Sequence, residues 1–237
     1  MADRAPPNFG SEKFRLPDEL RGPLHEHLEY LRAQYRDIAW GARVGFGKRP
    51  AVVVVDLAIM WTRPDSFPMG SDLDSVVKAT RRVLDAARAI DAPIFFTTKD
   101  WDPTEPWSPH DHKIDRSRRA KIDPALYELD PRLGRRPDEK IVRKKYPSAL
   151  RATNLEMNLA ALGVDTLIVT GASTSHCVYA TCLDAGHTWR VIVPRQAVGD
   201  RSELLHQVNL MDIDVDLGDV MEVDDVVAAL MALSPPQ

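Results

Sequence analysis

The run Ala51-Val52-Val53-Val54-Val55, closed by Asp56, decides the fold. It is apolar throughout and mostly β-branched, without the polar alternation of a half-exposed strand, so it reads as a short strand buried on both faces of a parallel sheet. A helix should follow. Ser71 and Asp74 form a capping-box pattern, and Leu73, Val76, Val77, Thr80, Val83, Leu84, Ala87 and Ile90 then recur at helical spacing.

The same βα unit repeats downstream. Pro93–Thr98 and Lys140–Lys144 read as the next strands, separated by a polar stretch from Asp100 to Glu139. That stretch is too long for a plain connector and marks a functional segment or one with short elements of its own. Thr153 and Glu156 make a second capping box ahead of Leu155, Leu159 and Leu162, with Gly163 as the stop. Strand Thr166–Thr170, a Gly-Ala-Ser-Thr-Ser turn and a helix from Cys177 to Ala185 come next. Strand Arg190–Val193, helix Glu203–Met211, strand Val220–Val223 and helix Asp224–Leu233 complete the chain. Strands alternating with helices specify an α/β fold, with a parallel sheet covered on both faces and ligands bound beyond the carboxyl ends of its strands. Residues 1–44 are read as an arm carrying a helix over Glu19–Tyr35, and residues 45–237 as one domain.

Composition narrows the function classes. A length of 237 residues suits a single α/β domain. With 31 Lys and Arg against 35 Asp and Glu, the chain has no global attraction to nucleic acid or anionic lipid. No apolar run reaches the length of a membrane span, and Met1–Gly10 lacks the apolar stretch of a secretory signal. Cys177 and Cys182 are poorly placed for a disulfide within one predicted helix, and two free thiols fit a reducing compartment. A cytoplasmic protein is expected.

Three reactive side chains fall at the carboxyl ends of predicted strands: Asp56 after the first, Lys144 at the end of the third, Cys177 past the fourth. In a parallel sheet those ends share one edge. Cys177 is expected in the first turn of its helix, where backbone N–H groups, the helix dipole and a nearby Lys144 ammonium would favour the thiolate. Asp56 would take the thiol proton and return it to a departing amine. The turn at Ala172 and Ser173 would aim N–H groups at an oxyanion. Each residue alone also has a plain structural reading, Asp as a turn residue and Cys as a small hydrophobe, and Lys144 has an adjacent rival in Lys145 that strand alternation sends to the opposite face. Cys182, inside the helix, is read as packing. His176 is set aside because neighbours entering a helix point in different directions.

Val-Val-Val-Val-Asp56, Lys144-Lys-Tyr-Pro-Ser-Ala-Leu150 and Val169-Thr-Gly-Ala-Ser-Thr-Ser-His-Cys177-Val resemble, in that order and at those intervals, the three signature segments of the isochorismatase-like cysteine hydrolases. Val193-Pro-Arg-Gln-Ala-Val-Gly-Asp-Arg201 and Asn209-Leu-Met-Asp-Ile are similar to the N-carbamoylsarcosine amidohydrolase and maleamate amidohydrolase branch. The resemblance implies a three-layer α/β/α sandwich with a six-stranded, mainly parallel sheet. It implies Asp56 as base, Lys144 rather than Lys145 as the charge-stabilising partner because of its spacing to Ser148, and Cys177 as the nucleophile of a thioester. It also implies a cis peptide between Ala172 and Ser173, an oxyanion hole from the Ser173 and Cys177 N–H groups, and Arg201 as the holder of a substrate carboxylate. The expected reaction is hydrolysis of a small linear amide or N-carbamoyl compound with release of ammonia, by a homo-oligomer (dimer or tetramer) that needs no cofactor.

Departures from the family pattern limit the substrate. Leu57 to Trp61 replaces the polar segment of nicotinamidase-like members, and Leu150 stands where Phe is usual. Asp100-Trp-Asp102 lacks the first His of their metal pattern, so no metal is expected, although Asp100, Asp102, His110 and His112 would suit zinc or manganese. Trp61, Trp101 and Trp107 are assigned to the substrate pocket or a subunit contact rather than to bases, since the basic clusters lack interleaved aromatics. Two competing classes remain. A non-catalytic binding protein on the same fold would carry an inert Cys177, and a nucleotide-dependent oxidoreductase would need a glycine-rich turn after the first strand, where Asp56–Thr62 has no glycine.

Overall fold

A computed structural model describes residues 14–66, 70–100, 102, 104–113 and 123–233. The order of elements is α1 (Asp18–Asp37), β1 (Pro50–Val55), α2 (Ile59–Thr62), α3 (Asp74–Ala89), β2 (Ile94–Lys99), β3 (Lys140–Lys144), α4 (Leu155–Ala161), β4 (Thr166–Ala172), α5 (Tyr179–Ala185), β5 (Arg190–Pro194), β6 (Val198–Gly199), α6 (Glu203–Asp212), β7 (Asp219–Met221) and α7 (Val223–Met231). The strands lie in the order β3-β2-β1-β4-β5-β7, all paired in parallel, and β6 pairs with the end of β4.

Strand alternation builds two cores from one sheet. Val52, Val54, Ile94, Phe96, Ile168 and Ile192 face α3 and α7, meeting Val76, Val83, Leu84, Val226 and Leu230. Ala51, Val53, Val55, Leu167, Val169 and Val191 face the other way, against Leu155 and Leu159 of α4, Cys182 and Ala185 of α5 and Leu210 of α6. Every residue of β1 is therefore buried, as the central position of a doubly covered sheet demands. The result is the expected three-layer sandwich.

Some local readings need correction. Among the described residues the sheet has seven strands rather than six, because the two-residue β6 adds a rung beside Gly171 and Ala172. The Ser71 and Asp74 box does not form: the Ser71 N–H donates to the Trp61 carbonyl at 3.0 Å, and Asp72 rather than Ser71 accepts from the Asp74 N–H at 3.2 Å. The Thr153 hydroxyl does meet the start of α4, but accepts from the Leu155 N–H at 3.2 Å instead of from the Glu156 N–H one residue further on. The helix expected from Cys177 begins earlier, with a π-helical turn over Thr174–Val178 that runs into α5.

The long stretch between β2 and β3 carries short helical turns at Asp111–Lys113, Pro124–Tyr127 and Pro131–Leu133. It is stitched to the segment after β1: the Ile59 N–H donates to the Glu128 carbonyl and the Asp130 N–H to the Leu57 carbonyl, each at 2.9 Å. At the N-terminal side, Leu28 of α1 packs on Met211 of α6 and on Val215 in the turn just after it. The Arg21 guanidinium donates to both oxygens of Glu203, at 2.9 and 3.0 Å.

Candidate active site

Asp56 is the first residue past β1 and adopts φ 48°, a left-handed conformation that Asp tolerates better than most residues. Its turn faces the end of β4, where Gly171 at φ 117° lets the two backbones approach closely; a side chain there would meet the Val55 carbonyl oxygen at 2.0 Å. The two strand ends are thereby held together beneath the site. Thr97 on β2 orients the carboxylate: its hydroxyl donates to Asp56 Oδ1 at 2.7 Å and accepts from the Asp56 N–H at 3.2 Å.

The Lys144 ammonium, at the end of β3, lies 2.6 Å from Asp56 Oδ2 and donates to the carbonyls of Tyr146 at 3.1 Å and Pro147 at 2.8 Å. Lys145 points away and pairs with Glu105 at the surface. Alternation along the strand thus selects Lys144, the choice that the family spacing implies. Lys144 is only 5% exposed and Asp56 7%. Burial works against the ammonium, but the neighbouring Asp56 and Cys177 outweigh it and hold the Lys144 pKa above its ordinary value.

Cys177 lies close enough to both Asp56 and Lys144 for each to act on its thiol. Burial pushes its thiol pKa up to about 12, with the Asp56 carboxylate adding to the rise and Lys144 opposing it. Lys144 favours the thiolate as expected, but desolvation and the adjacent carboxylate act more strongly in the other direction and favour the thiol. The turn that carries it is anchored from below. Thr174 Oγ1 is 2.8 Å from Nδ1 of His206, whose own pKa burial lowers to about 3, and the Ser175 N–H donates to buried Asp200 at 2.7 Å.

The Ala172–Ser173 peptide bond is cis. The Ser173 carbonyl accepts from the N–H groups of His176 at 3.0 Å and Val178 at 3.1 Å, skipping the intervening Cys177 N–H. That skip follows from the π-helical turn, whose wider winding moves the register of the amides by one residue. The same winding corrects the reading of His176. Its Nδ1 lies 3.4 Å from the Cys177 sulfur, which α-helical directions would not allow. Sequence reasoning misses this contact, since nothing in Thr174–Val178 announces the wider turn.

The remaining expected residues are distributed unevenly. Trp61 sits partly exposed on α2, just past Asp56. Trp101 lies outside the described residues. Arg201 is close enough to His176 to disfavour its charged form, and its guanidinium lies 3.6 Å from Asp200. Asp102 turns back onto the Thr104 hydroxyl at 2.7 Å, His112 packs on Trp107, and His110 stacks on His176 with ring centres 5.7 Å apart. Among the described residues no group of three His, Cys, Asp or Glu side chains comes together to hold a metal ion.

Comparison with known proteins supplies context for this geometry. A family model described as an isochorismatase domain matches residues 50–225. The chain is 35% identical to an N-carbamoylsarcosine amidase of an Arthrobacter species over 220 residues, covering 90% of this chain and 83% of the relative. It is 32% identical to a maleamate amidohydrolase of Pseudomonas putida over 213 residues, covering 86% and 96%. Among solved structures, a cysteine hydrolase from Pseudomonas syringae pv. phaseolicola superposes with a TM-score of 0.71 at 24% identity, covering 79% of this chain and 95% of that one, a likeness of fold.

Proposed function

The chain belongs to the isochorismatase family, and from that premise we propose that it is a cysteine amidohydrolase acting on the carbon–nitrogen bond of a small linear amide or N-carbamoyl compound. The observation that carries the reading is the Asp56–Lys144 pair, 2.6 Å apart and buried, with Cys177 near enough for both to act on its thiol. A nucleophile, a base and a fixed cation brought together make up the minimum for acyl transfer from an amide.

The chemistry follows from the charge states. Burial and Asp56 both favour the protonated sulfur, so the thiol loses its proton to Asp56 as sulfur attacks the carbonyl carbon. The oxyanion that forms is received by the Ser173 and Cys177 N–H groups. Asp56 then passes the proton to the amine nitrogen, ammonia leaves, and the acyl group stays on sulfur. Water attacks the thioester after giving a proton to Asp56, the carbon–sulfur bond breaks, and the thiolate recovers that proton. Lys144 stays charged throughout, pairing with the Asp56 carboxylate between steps and offsetting negative charge on sulfur. No step calls on a cofactor.

Arg201 is assigned to a carboxylate on the substrate, a task suited to its guanidinium fork, and both named relatives support a small amide bearing one as the class to test. Trp61 and Trp101 are assigned to the wall of the pocket. A homo-oligomer in the cytoplasm completes the reading, and among the described residues no helix is long and apolar enough to cross a membrane. The test is ammonia release from a panel of small amides, ureido acids and carbamates, with mass spectrometry of the quenched protein. An acyl adduct on Cys177 is the expected result. Turnover of none of the panel together with an unreactive Cys177 would instead make the chain a binding protein.

A further inference from the structure

Cys177 has a third polar neighbour that the mechanism above does not use. His176 Nδ1 is 3.4 Å from the sulfur, and its ring is braced by that of His110, which lies at 28° to it with centres 5.7 Å apart. His110 comes from the long stretch between β2 and β3, directly before the helical turn at Asp111–Lys113. A residue far along the chain therefore reaches across to fix the imidazole beside the reacting atom. We propose that His176 is a hydrogen-bond donor to the sulfur of Cys177, and that His110 is the positioning residue that holds its ring in place. The inference rests on Cys177 being the reacting thiol.

The direction of the hydrogen bond follows from the acceptors present. The S–H proton has the Asp56 carboxylate to go to, a far better acceptor than a neutral imidazole nitrogen. Nδ1 therefore carries a proton of its own and points it at a sulfur lone pair, leaving Nε2 unprotonated. Burial, then His110, Arg201 and Lys144, keep the His176 pKa below its usual value, with Asp56 opposing, so this donor is neutral and does not add to the positive charge around Lys144.

Such a donor strengthens its hold when sulfur gains charge. This occurs twice: as the S–H proton moves to Asp56 during attack, and as the electron pair of the breaking carbon–sulfur bond returns to sulfur during thioester hydrolysis. Lys144 then approaches the sulfur as a charge, and His176 as a directed N–H. Removing one donor to a developing oxyanion slows such steps by about 100- to 1,000-fold, and the weaker hydrogen bond to sulfur counts for less. The His110 brace contributes by limiting ring rotation, since an unbraced imidazole loses orientation before each turnover.

The experiment reads Cys177 directly, without a substrate. The rate of its alkylation by iodoacetamide is measured in wild type, His176→Phe, His176→Asn, His110→Ala and His110→Phe, each checked for an unchanged melting temperature. Phe at 176 keeps a ring but loses the donor, and alkylation should slow by about tenfold or more. Asn at 176 places an amide N–H near the Nδ1 position and should recover most of that loss. Ala at the exposed position 110 should slow alkylation several-fold, and Phe there should restore it. Wild-type alkylation in a folded His176→Phe protein, or an Asn variant no better than Phe, would overturn the proposal. If His176→Phe does not fold, equal rates in His110→Ala and His110→Phe would overturn it. The functional reading fails separately: its failure is an absence of amide turnover in wild type, whatever the alkylation rates.

Discussion

The α-carbon of Gly171 is so close to Val55 that a Cβ added to it would stand 2.0 Å from the Val55 carbonyl oxygen and 2.7 Å from the Val55 nitrogen. Backbone cannot swing aside as a side chain can, and φ 117° is itself unfavourable for alanine. Gly171→Ala should cost about 3 kcal/mol and lower Tm by about 6 to 12 °C. Gly22, on α1 with nothing within 4 Å of an added methyl group, is the control: Gly22→Ala should leave Tm unchanged or raise it. Equal effects in thermal melts would mean that the contact between β1 and β4 is looser than described.

The two cysteines should part company completely. Cys177→Ser should abolish ammonia release with Tm retained, because a serine hydroxyl is a weaker acid and a poorer nucleophile than a thiol in this setting. Cys182 is fully buried in the core beneath α5, so Cys182→Ser should keep activity but lose about 1 to 3 kcal/mol for the unpaired hydroxyl. Peptide mapping after iodoacetamide should find label on Cys177 in the folded protein and on Cys182 only after unfolding. Label on native Cys182 would place the reactive thiol on the wrong side of the helix.

Arg201→Ala should discriminate between substrates. Truncating a guanidinium that holds a carboxylate costs about 2 to 5 kcal/mol, roughly 30-fold or more in kcat/KM. A neutral amide of the same size should lose far less. Equal losses on a matched acid and neutral pair, with a lower Tm, would reduce Arg201 to a structural partner of Asp200.

Acid stability should depend on Asp130. Its carboxylate accepts from Thr62 Oγ1 at 2.7 Å and from Arg132, and caps the turn at Pro131–Leu133. Burial opposes its ionisation, but these donors prevail and lower its pKa to about 2. A depressed carboxylate pKa stabilises the folded chain above the unfolded value near 4, and that stabilisation, about 2 kcal/mol, is lost as pH falls from about 4 to 2. Wild-type unfolding free energy should drop across that window, whereas Asp130→Asn should be weaker at neutral pH and flatter in acid. Parallel curves from urea melts would show that other carboxylates dominate.

The parts of this molecule legible in its sequence are those written in side-chain periodicity. Val52 to Val55 announce a doubly buried strand, and alternation in Arg143-Lys144-Lys145 allows only one lysine to turn inward, which the family spacing to Ser148 names as Lys144. What escapes is set by backbone winding or by long-range pairing. The π-helical turn at Thr174–Val178 gives no compositional signal, so α-helical geometry sends His176 away from the sulfur that it in fact meets. β6 is too short to carry a period, and the His110 stack joins residues whose neighbourhood only the folded chain creates. The thiol pKa is hidden for a related reason: the sequence names the charges near Cys177 but not the depth at which they sit.

The pairing of Arg21 with Glu203 bears on how short this protein can be made. The match to the family model begins only at residue 50, which suggests that everything before it is dispensable. Yet Glu203 is 5% exposed and opens α6, the helix directly after Arg201 and Ser202, and the guanidinium that grips it belongs to α1. A trimmed chain starting at β1 would leave that carboxylate buried without its counter-ion and strip the cover from Met211 and Val215. The residues outside the family boundary thus hold the first turn of α6 in place, and the match to the Arthrobacter amidase, covering 90% of this chain, reaches into them.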